Sequence, residues 1–409
     1  MDKRAAGFAA ALVLMIATVS VAQEDQQQDN LAAAIAAGDP GFFMRYRYEF
    51  VDQATFDEDA HASTLLVRLN YETDSWKNWS GFIEFDHVME VLVNDYNSGA
   101  GTSSPDRDRF PLVADPKGPD LNQLYFEWAP SDDWKNRIGR QRINLDDQRF
   151  VGGVFWRQNE QTYDSLSVNH TGFAKTDIAY SYVTAVRRVF GSTVPAGRQK
   201  HNTHLLNASF GQVENWKFVG YAYLIDDEDF APFSTSTFGA RATGSISVGD
   251  HKIDLLGELA TQSDYANNPE RFTAAYYRLQ GIWSLGKFSA GLGMESLGSD
   301  NDQGFRTPLA TLHAFNGWAD LFLATPEAGL DDVYIRGGYK PGKWNLQLIY
   351  HDFSAETGGA DFGTELDLLA TRPLGDGYSL LLKFADFQSD NAGYPDTTKA
   401  WVMVTLDFQ

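Results

Sequence analysis

The sequence predicts an all-β protein, an eighteen-stranded antiparallel transmembrane β-barrel of the outer-membrane type. Three observations predict this class. From Gly41 onward, apolar and polar side chains alternate with a period of two residues, as in Val67 to Glu72, which is typical of strands with two different faces. The connections between these segments alternate between short and long, and tryptophans stand beside the short ones. Together these features favour a membrane barrel over a soluble barrel or sandwich.

The alternating segments are long enough to cross a membrane as tilted strands. Most of them have 9 to 13 residues, and a tilted strand needs roughly 9–11 residues to cross the hydrocarbon. We place eighteen, near 41–51, 62–73, 79–91, 121–129, 134–143, 161–170, 175–186, 202–211, 216–226, 236–248, 251–262, 272–284, 287–297, 331–340, 343–353, 364–373, 377–388 and 398–408.

The connections assign the two ends of the barrel. Outer-membrane barrels have short turns on the periplasmic side and longer loops outside. The long connections here include 93–120, 144–160, 185–201 and 298–330. An even number of strands then places both ends of the barrel on the periplasmic side. Tryptophan prefers the membrane–water interface, and six tryptophans adjoin short turns: Trp76, Trp79, Trp134, Trp216, Trp283 and Trp344.

The N-terminal region predicts export. Lys3 and Arg4 precede a short apolar stretch, which ends in the small-residue triplet Ser20-Val21-Ala22. This order is typical of a cleaved secretory signal peptide. We therefore expect a signal peptide at 1–22, a partly helical or disordered periplasmic leader at 23–40, and the barrel at 41–409, located in the outer membrane of a Gram-negative cell.

Composition and motifs exclude several classes of protein. The chain has no cysteine, which excludes disulfides and thiol chemistry. A net charge of −22 does not suit a nucleic-acid binder. We find no catalytic, phosphate-binding or metal-ligand motif, so no enzyme activity, cofactor or metal site is predicted. The acidic runs 57–59 and 226–229 are read as solvated loop charge, with Ca²⁺ binding as the alternative.

One family resemblance adds to this reading. The strings GRQRI at 139–143, DDQRF at 146–150 and WRQNEQTYD at 156–164 resemble the alginate export family of outer-membrane proteins. Shorter similar stretches lie at 122–125 and 307–320. The resemblance implies an eighteen-stranded barrel that exports an anionic polysaccharide, with the arginine of its Gly-Arg-Gln motif, Arg140 here, as a cation lining the pore.

Basic side chains on the polar face are the candidate solute contacts. Arg140 and Arg142 are two residues apart on a strand, and we expect both to face the lumen, because an arginine facing lipid at mid-depth costs ~2–4 kcal/mol. The alternative is that these arginines only pair with lumen carboxylates. By this face assignment the lumen carries eleven basic and twelve acidic residues. Such a balanced charge does not by itself predict a pore that selects anions. The candidate lining residues are Arg45, Arg47, Arg68, Arg140, Arg142, Arg278 and Arg336.

The longest connection, 298–330, is too apolar for a free surface loop. Phe315, Trp318 and Phe322 have a helix-like spacing. We expect a constriction loop or short helix that folds into or over the pore. A helix on the outer rim is the alternative.

The predicted function is an outer-membrane channel that passes a hydrophilic solute or polysaccharide, with an anionic one as a candidate, by diffusion through a charged lumen. The alternatives are a substrate-specific porin for small-molecule uptake and, less favoured, an outer-membrane enzyme or an adhesin barrel. The expected partners are outer-membrane lipid, lipopolysaccharide and the transported solute, with periplasmic export proteins as a further candidate and no nucleic acid.

Overall fold

A computed structural model describes residues 30–99, 107–173, 175–211 and 213–408 of the chain. The predicted signal peptide at 1–22 and the first residues of the predicted leader lie outside the described residues. Within the described part, no helix is long and apolar enough to cross a membrane.

Eighteen antiparallel strands form one closed barrel, as predicted. Each strand pairs with its neighbours in sequence, and β1 closes the barrel by pairing with β20. The predicted segments match the observed strands to within four residues at each end. The barrel strands are β1 Asp39–Gln53, β2 Ala60–Glu72, β3 Trp79–Asp95, β4 Gly118–Ser131, β5 Trp134–Gln141, β6 Thr162–Phe173, β7 Thr176–Arg187, β8 Arg198–Phe210, β9 Trp216–Ile225, β10 Thr235–Val248, β11 His251–Asp264, β12 Thr273–Leu285, β13 Phe288–Leu297, β16 Leu330–Tyr339, β17 Asn345–Ser354, β18 Asp361–Gly375, β19 Tyr378–Ser389 and β20 Thr397–Phe408.

Short turns join the strands at one end of the barrel and longer loops join them at the other. Several of these turns have only two residues; 249–250 and 286–287 are examples. Each contains a glycine in the left-handed region, with φ of 57° at Gly249 and 56° at Gly286. Tight hairpin turns require this conformation, which glycine adopts without steric cost.

The two faces of the sheet have the predicted polarity. Large apolar side chains such as Leu259, Leu292 and Ile335 point outward and are 65%, 69% and 59% exposed. Their lumen-facing neighbours include the buried carboxylates Glu258 and Asp332. An apolar exterior and a charged interior are the reverse of a soluble barrel and suit a barrel surrounded by lipid.

A short helix, α1 (Leu31–Ala36), precedes the barrel. The side chain of Asn30 caps it by accepting a hydrogen bond from the backbone N–H of Ala33 at 2.9 Å. The hydroxyl of Tyr71 in β2 donates to the carbonyl of Ile35. These contacts hold α1 at the short-turn end of the barrel.

Two of the long connections turn inward. We call residues 142–161, between β5 and β6, the first inserted loop, and residues 298–329, between β13 and β16, the second inserted loop. The second contains the two-residue strands β14 (Ser299–Asp300) and β15 (Gln303–Gly304), which pair with each other, and a 3-10 turn at Leu312–Ala314. No α-helix forms at 312–322, so of the predicted forms a loop inside the barrel is the one observed.

Candidate functional site

The first inserted loop is anchored on arginines of β1. The guanidinium of Arg45 donates to the Gln158 side chain at 3.0 Å and to the carbonyls of Phe155 and Arg157 at 2.7 and 2.5 Å. Arg47 donates to the carbonyl of Trp156 and forms an ion pair with Glu49 at 2.6 Å. Both arginines are 1% exposed, so their donors serve the loop rather than the solvent.

A second anchor is a buried ion cluster centred on Glu160. Arg68 pairs with Glu160 at 2.5 Å and with Asp86 at 2.6 Å. Arg142 pairs with Glu160 and, at 2.6 Å, with Glu84. Burial opposes ionisation of Glu160, but the charges of Arg68 and Arg142 outweigh burial and lower the pKa of Glu160 to about 2. The carboxylate is therefore ionised at neutral pH and holds the end of the loop against β2.

The middle of the first inserted loop reaches the opposite wall. Arg149 pairs with Glu295 of β13 at 2.5 Å. Asp147 forms ion pairs with Arg241 at 2.7 Å and with Arg278 at 2.8 Å. The loop therefore spans the lumen from β1 to β13.

The second inserted loop is held by carboxylates and lysines of the barrel wall. Asn316 donates to Glu295 at 2.7 Å, and the backbone N–H of Ala319 donates to Glu365 at 2.8 Å. Asp320 pairs with Lys399 of β20 at 2.9 Å. These bonds fix the loop inside the barrel instead of on its outer rim.

The three aromatic residues predicted to form the constriction lie within this loop at different places. The Trp318 ring lies 3.7 Å from the Lys383 ammonium, and the Phe315 ring lies 4.8 Å from the Arg149 guanidinium. Phe322 packs among the rings of Phe353, Phe362, Phe387 and Tyr394. Trp318 and Phe315 face charged groups, whereas Phe322 fills an apolar cluster.

The two inserted loops also bind each other. The backbone N–H of Gly152 donates to the carbonyl of Leu309 at 2.9 Å. The rings of Trp156 and His313 stack at 4.3 Å. Burial lowers the pKa of His313 to about 3, so its ring is neutral at physiological pH. Backbone pairing and stacking join the loops into one plug across the lumen.

Arg140 is not where the sequence led us to expect it. In β5 it is in register with Leu124, which is 43% exposed on the outward face, and it follows Ile138, which is 55% exposed. Arg140 pairs with Asp164 at 2.8 Å near the long-loop end. The next residue, Gln141, is buried on the lumen side.

The expectation that both arginines face the lumen is therefore wrong for Arg140. Arg142 is on the lumen side, and a contact between Arg142 and solute stays a prediction. Arg142 follows the last residue of β5, and the chain has already turned into the lumen there. The two arginines do not share a face because the strand ends between them.

The remaining candidate arginines line the lumen but differ in their partners. Four of them form hydrogen bonds or ion pairs with the inserted loops or with wall carboxylates: Arg45, Arg47, Arg68 and Arg278. Arg336 of β16 also points inward and is half-buried. It makes no ion pair with any carboxylate in the described part of the chain. Of the seven predicted arginines, Arg336 therefore has its charge available to a solute.

An open cavity lies on the long-loop side of the plug. We call it the outer cavity; its volume is about 320 Å³. Four loops and two strands contribute to its wall, and the charged groups on it are Arg157, Arg188, Asp320 and Lys399. His313 also faces this cavity. The outer cavity is where a solute from outside would meet the plug.

Sequence reasoning missed the outer cavity and the first inserted loop as a plug. One signal in the sequence could have indicated the first inserted loop: all five side chains from Arg157 to Gln161 can form hydrogen bonds. A loop free in solvent does not need so many. The outer cavity has no such signal, because its lining comes from segments far apart in sequence. No group of three histidines or carboxylates among the described residues is placed to hold a metal ion.

Comparison with known proteins agrees with this architecture. A family model described as alginate export matches residues 22–264. OccAB4 of Acinetobacter baumannii superimposes with a TM-score of 0.73 at 11% identity, covering 91% of this chain and 98% of that one. Pseudomonas aeruginosa OpdK, solved with vanillate, gives 0.71 at 13% identity, with 90% and 98% covered.

Pseudomonas aeruginosa OccK9 (OpdG) gives a TM-score of 0.71 at 12% identity, with 92% and 100% covered. At these identities the superpositions show a shared barrel fold. No curated protein matches in sequence. The family match covers more than half of the chain, so the protein belongs to the alginate export family and is an outer-membrane channel.

Proposed function

We propose that this channel passes small anionic solutes by diffusion, and that it selects them at the outer cavity and at the unpaired Arg336. The observation that carries the proposal is the charge on the walls that remain open to solute. The charged groups on the outer cavity are Arg157, Arg188, Lys399 and Asp320. Arg157 and Lys399 are paired with carboxylates, whereas Arg188 forms no ion pair with a described carboxylate. Elsewhere in the lumen, basic and acidic groups largely neutralise each other.

The plug favours a small solute over a polymer. Both inserted loops are held by buried ion pairs and by hydrogen bonds to each other. A polysaccharide chain would have to displace them, whereas small solutes need only narrow openings between loop and wall. OpdK, a barrel of the same fold, was solved with vanillate, which is a small carboxylate.

Export of an anionic polysaccharide is the second candidate, because the family match favours it. This function would require the plug to move as a unit. The two candidates share a preference for anions and differ in the size of what passes.

Planar-bilayer recording tests the proposal. With a KCl gradient across the bilayer, the reversal potential of an anion-preferring channel has the sign of the chloride equilibrium potential. A reversal potential with the sign of the potassium equilibrium potential would overturn the proposal. Permeation of uronate monomers and of long uronate oligomers, measured in liposomes, separates the candidates. Entry of monomers alone supports the small-solute channel, and equal entry of long oligomers supports polymer export.

A further inference from the structure

We propose that the outer cavity is a binding site for amphipathic monocarboxylates, and that Arg188 receives the carboxylate. The inference deepens the proposed function and rests on it: it names the class of anion that an anion channel of this shape would take. It is argued from the partners of the cavity's cations, from its apolar wall and from its volume.

Arg188 has unused hydrogen-bonding capacity. It follows the end of β7, is half-buried, and donates from Nη1 to the carbonyl of Pro308 at 2.8 Å. No described carboxylate forms an ion pair with it. A guanidinium has five N–H donors in a fork that matches a carboxylate. Arg188 therefore offers an anion a partly desolvated cation that no protein group neutralises directly.

The other cations of the cavity are already occupied. Asp320 accepts from Arg157 at 3.4 Å and from Lys399 at 2.9 Å. Arg157 also pairs with Glu49 at 3.1 Å. These four groups are together neutral, so Arg188 supplies the net positive charge of the cavity. His313 adds none, since burial keeps its ring neutral. The remaining positive charge attracts anions, and Arg188 is the group that is free to bind one.

The rest of the wall is largely apolar. Leu112 and Leu323 are 47% and 42% exposed although both line the cavity. Phe190 follows Arg188 by two residues and also lines it. A uronate carries hydroxyl groups all round its ring, and such a wall offers them few hydrogen-bonding partners. An apolar ring or chain bearing a single carboxylate matches both the wall and the cation.

The volume supports a single small ligand. Small-molecule pockets span roughly 300–1,000 Å³, and the outer cavity, at about 320 Å³, lies at the small end. A benzoate-sized anion is small enough for this space, whereas a chain of several sugar rings is not.

The test measures binding of benzoate and of glucuronate to the purified full-length protein in detergent, by isothermal titration calorimetry. Both probes carry one negative charge, and only benzoate has an apolar body. We expect benzoate to bind at least about tenfold more tightly, and Arg188→Gln to weaken benzoate binding by about tenfold or more. Leu323→Ser should weaken benzoate binding and leave glucuronate unchanged.

Arg198→Gln is the matched control, because Arg198 is exposed at the start of β8 and does not line the cavity. It should bind benzoate as the wild type does. The heat-modifiable gel mobility of the barrel checks that each variant is folded. Equal affinity for the two probes, no measurable binding of benzoate, or a folded Arg188→Gln variant with unchanged affinity would each overturn the inference. If one of these three outcomes is found in a channel that still prefers anions, only the monocarboxylate site is disproved. If the channel prefers cations, the proposed function itself is disproved.

Discussion

The guanidinium of Arg157 in the first inserted loop lies 3.4 Å from the carboxylate of Asp320 in the second. Asp320 is also held by Lys399 of the barrel wall at 2.9 Å. Burial opposes ionisation of Asp320, but the hydrogen bond with His313 and the charges of Lys399 and Arg157 outweigh it and hold its pKa well below the usual range. Through this carboxylate the two loops and the wall are joined, so displacement of one loop disturbs the other.

Glu160→Gln should loosen the first inserted loop. The substitution leaves the buried Arg68 and Arg142 without their shared carboxylate, and breaking a buried ion pair costs ~3–5 kcal/mol. Because the barrel ladder is untouched, we expect a folded channel with more frequent open events in single-channel recordings. Glu214→Gln is the control, because Glu214 is exposed in a turn at the short-turn end of the barrel. Identical gating in wild type and Glu160→Gln would show that this cluster does not anchor the loop.

The same cluster predicts a dependence on pH. The pKa of Glu160 is lowered from 4.5 to about 2 in the folded protein. A lowered carboxyl pKa stabilises the folded form above the unfolded value, and this contribution is lost as pH falls toward the folded value. The contribution of Glu160 should therefore appear as a rise in open probability as the pH falls between about 4.5 and 2.

Recording the same pH series on Glu160→Gln tests the assignment. The substitution removes the titrating group, so the rise between about pH 4.5 and 2 should flatten. A rise of unchanged size and midpoint in the variant would assign the transition to another group.

Deletion of residues 300–328 should open the channel. Leu297 and Leu330 pair directly across β13 and β16, so the three residues left between them can form a tight hairpin loop. The deletion removes the second inserted loop, including Phe315, Trp318 and Phe322. We expect single-channel conductance to increase at least severalfold. A conductance equal to that of the wild type would show that this loop does not obstruct the pathway.

Arg336→Ala should weaken the preference for anions. Arg336 points into the lumen, and no described carboxylate pairs with it, so its charge acts on passing ions. We expect the reversal potential in a KCl gradient to shift toward the cation value. Arg372→Ala is the control. Arg372 follows the inward-facing Thr371 in β18, so its side chain is on the outward face, where it lies over the Trp344 ring at 5.3 Å. Equal shifts in the two variants would mean that the change reflects total charge and not position.

Arg140→Gln should leave ion selectivity unchanged. Arg140 lies on the outward face beside Asp164, away from the route through the lumen. The measurement is again the reversal potential, with Arg142→Gln, on the lumen side, as the comparison. A loss of anion preference in Arg140→Gln equal to that in Arg142→Gln would place Arg140 on the ion pathway.

The barrel could be predicted from the sequence because its determinants are local. Alternation with a period of two residues fixes which face each side chain occupies, so Val67 and Arg68 are assigned to opposite faces without knowledge of any partner. Glycine-containing turns such as Gly249-Asp250 mark where a strand must reverse. Each rule needs only a few neighbouring residues, and eighteen repetitions of it give the barrel.

The site could be predicted only in part. The apolar content of 298–329 indicated that this segment is not a free loop, and the structure places it inside the barrel. The expectation for Arg140 failed because it placed Arg140 and Arg142 on one strand. In the structure β5 ends at Gln141, and the bend that follows takes Arg142 to the other side. Alternation gives no information beyond the last paired residue.

The sequence by itself determined the strand count, the sidedness and the polarity of the two faces, since these follow from local alternation and turn chemistry. Only the tertiary structure decided which lumen charges neutralise each other and which remain free. Arg68 and Arg336 have the same chemistry on the same kind of face, yet Glu160 reaches Arg68, whereas no described carboxylate pairs with Arg336. Ion pairing depends on distances of a few ångströms between segments far apart in the chain, and such distances exist only after the loops have folded into the barrel.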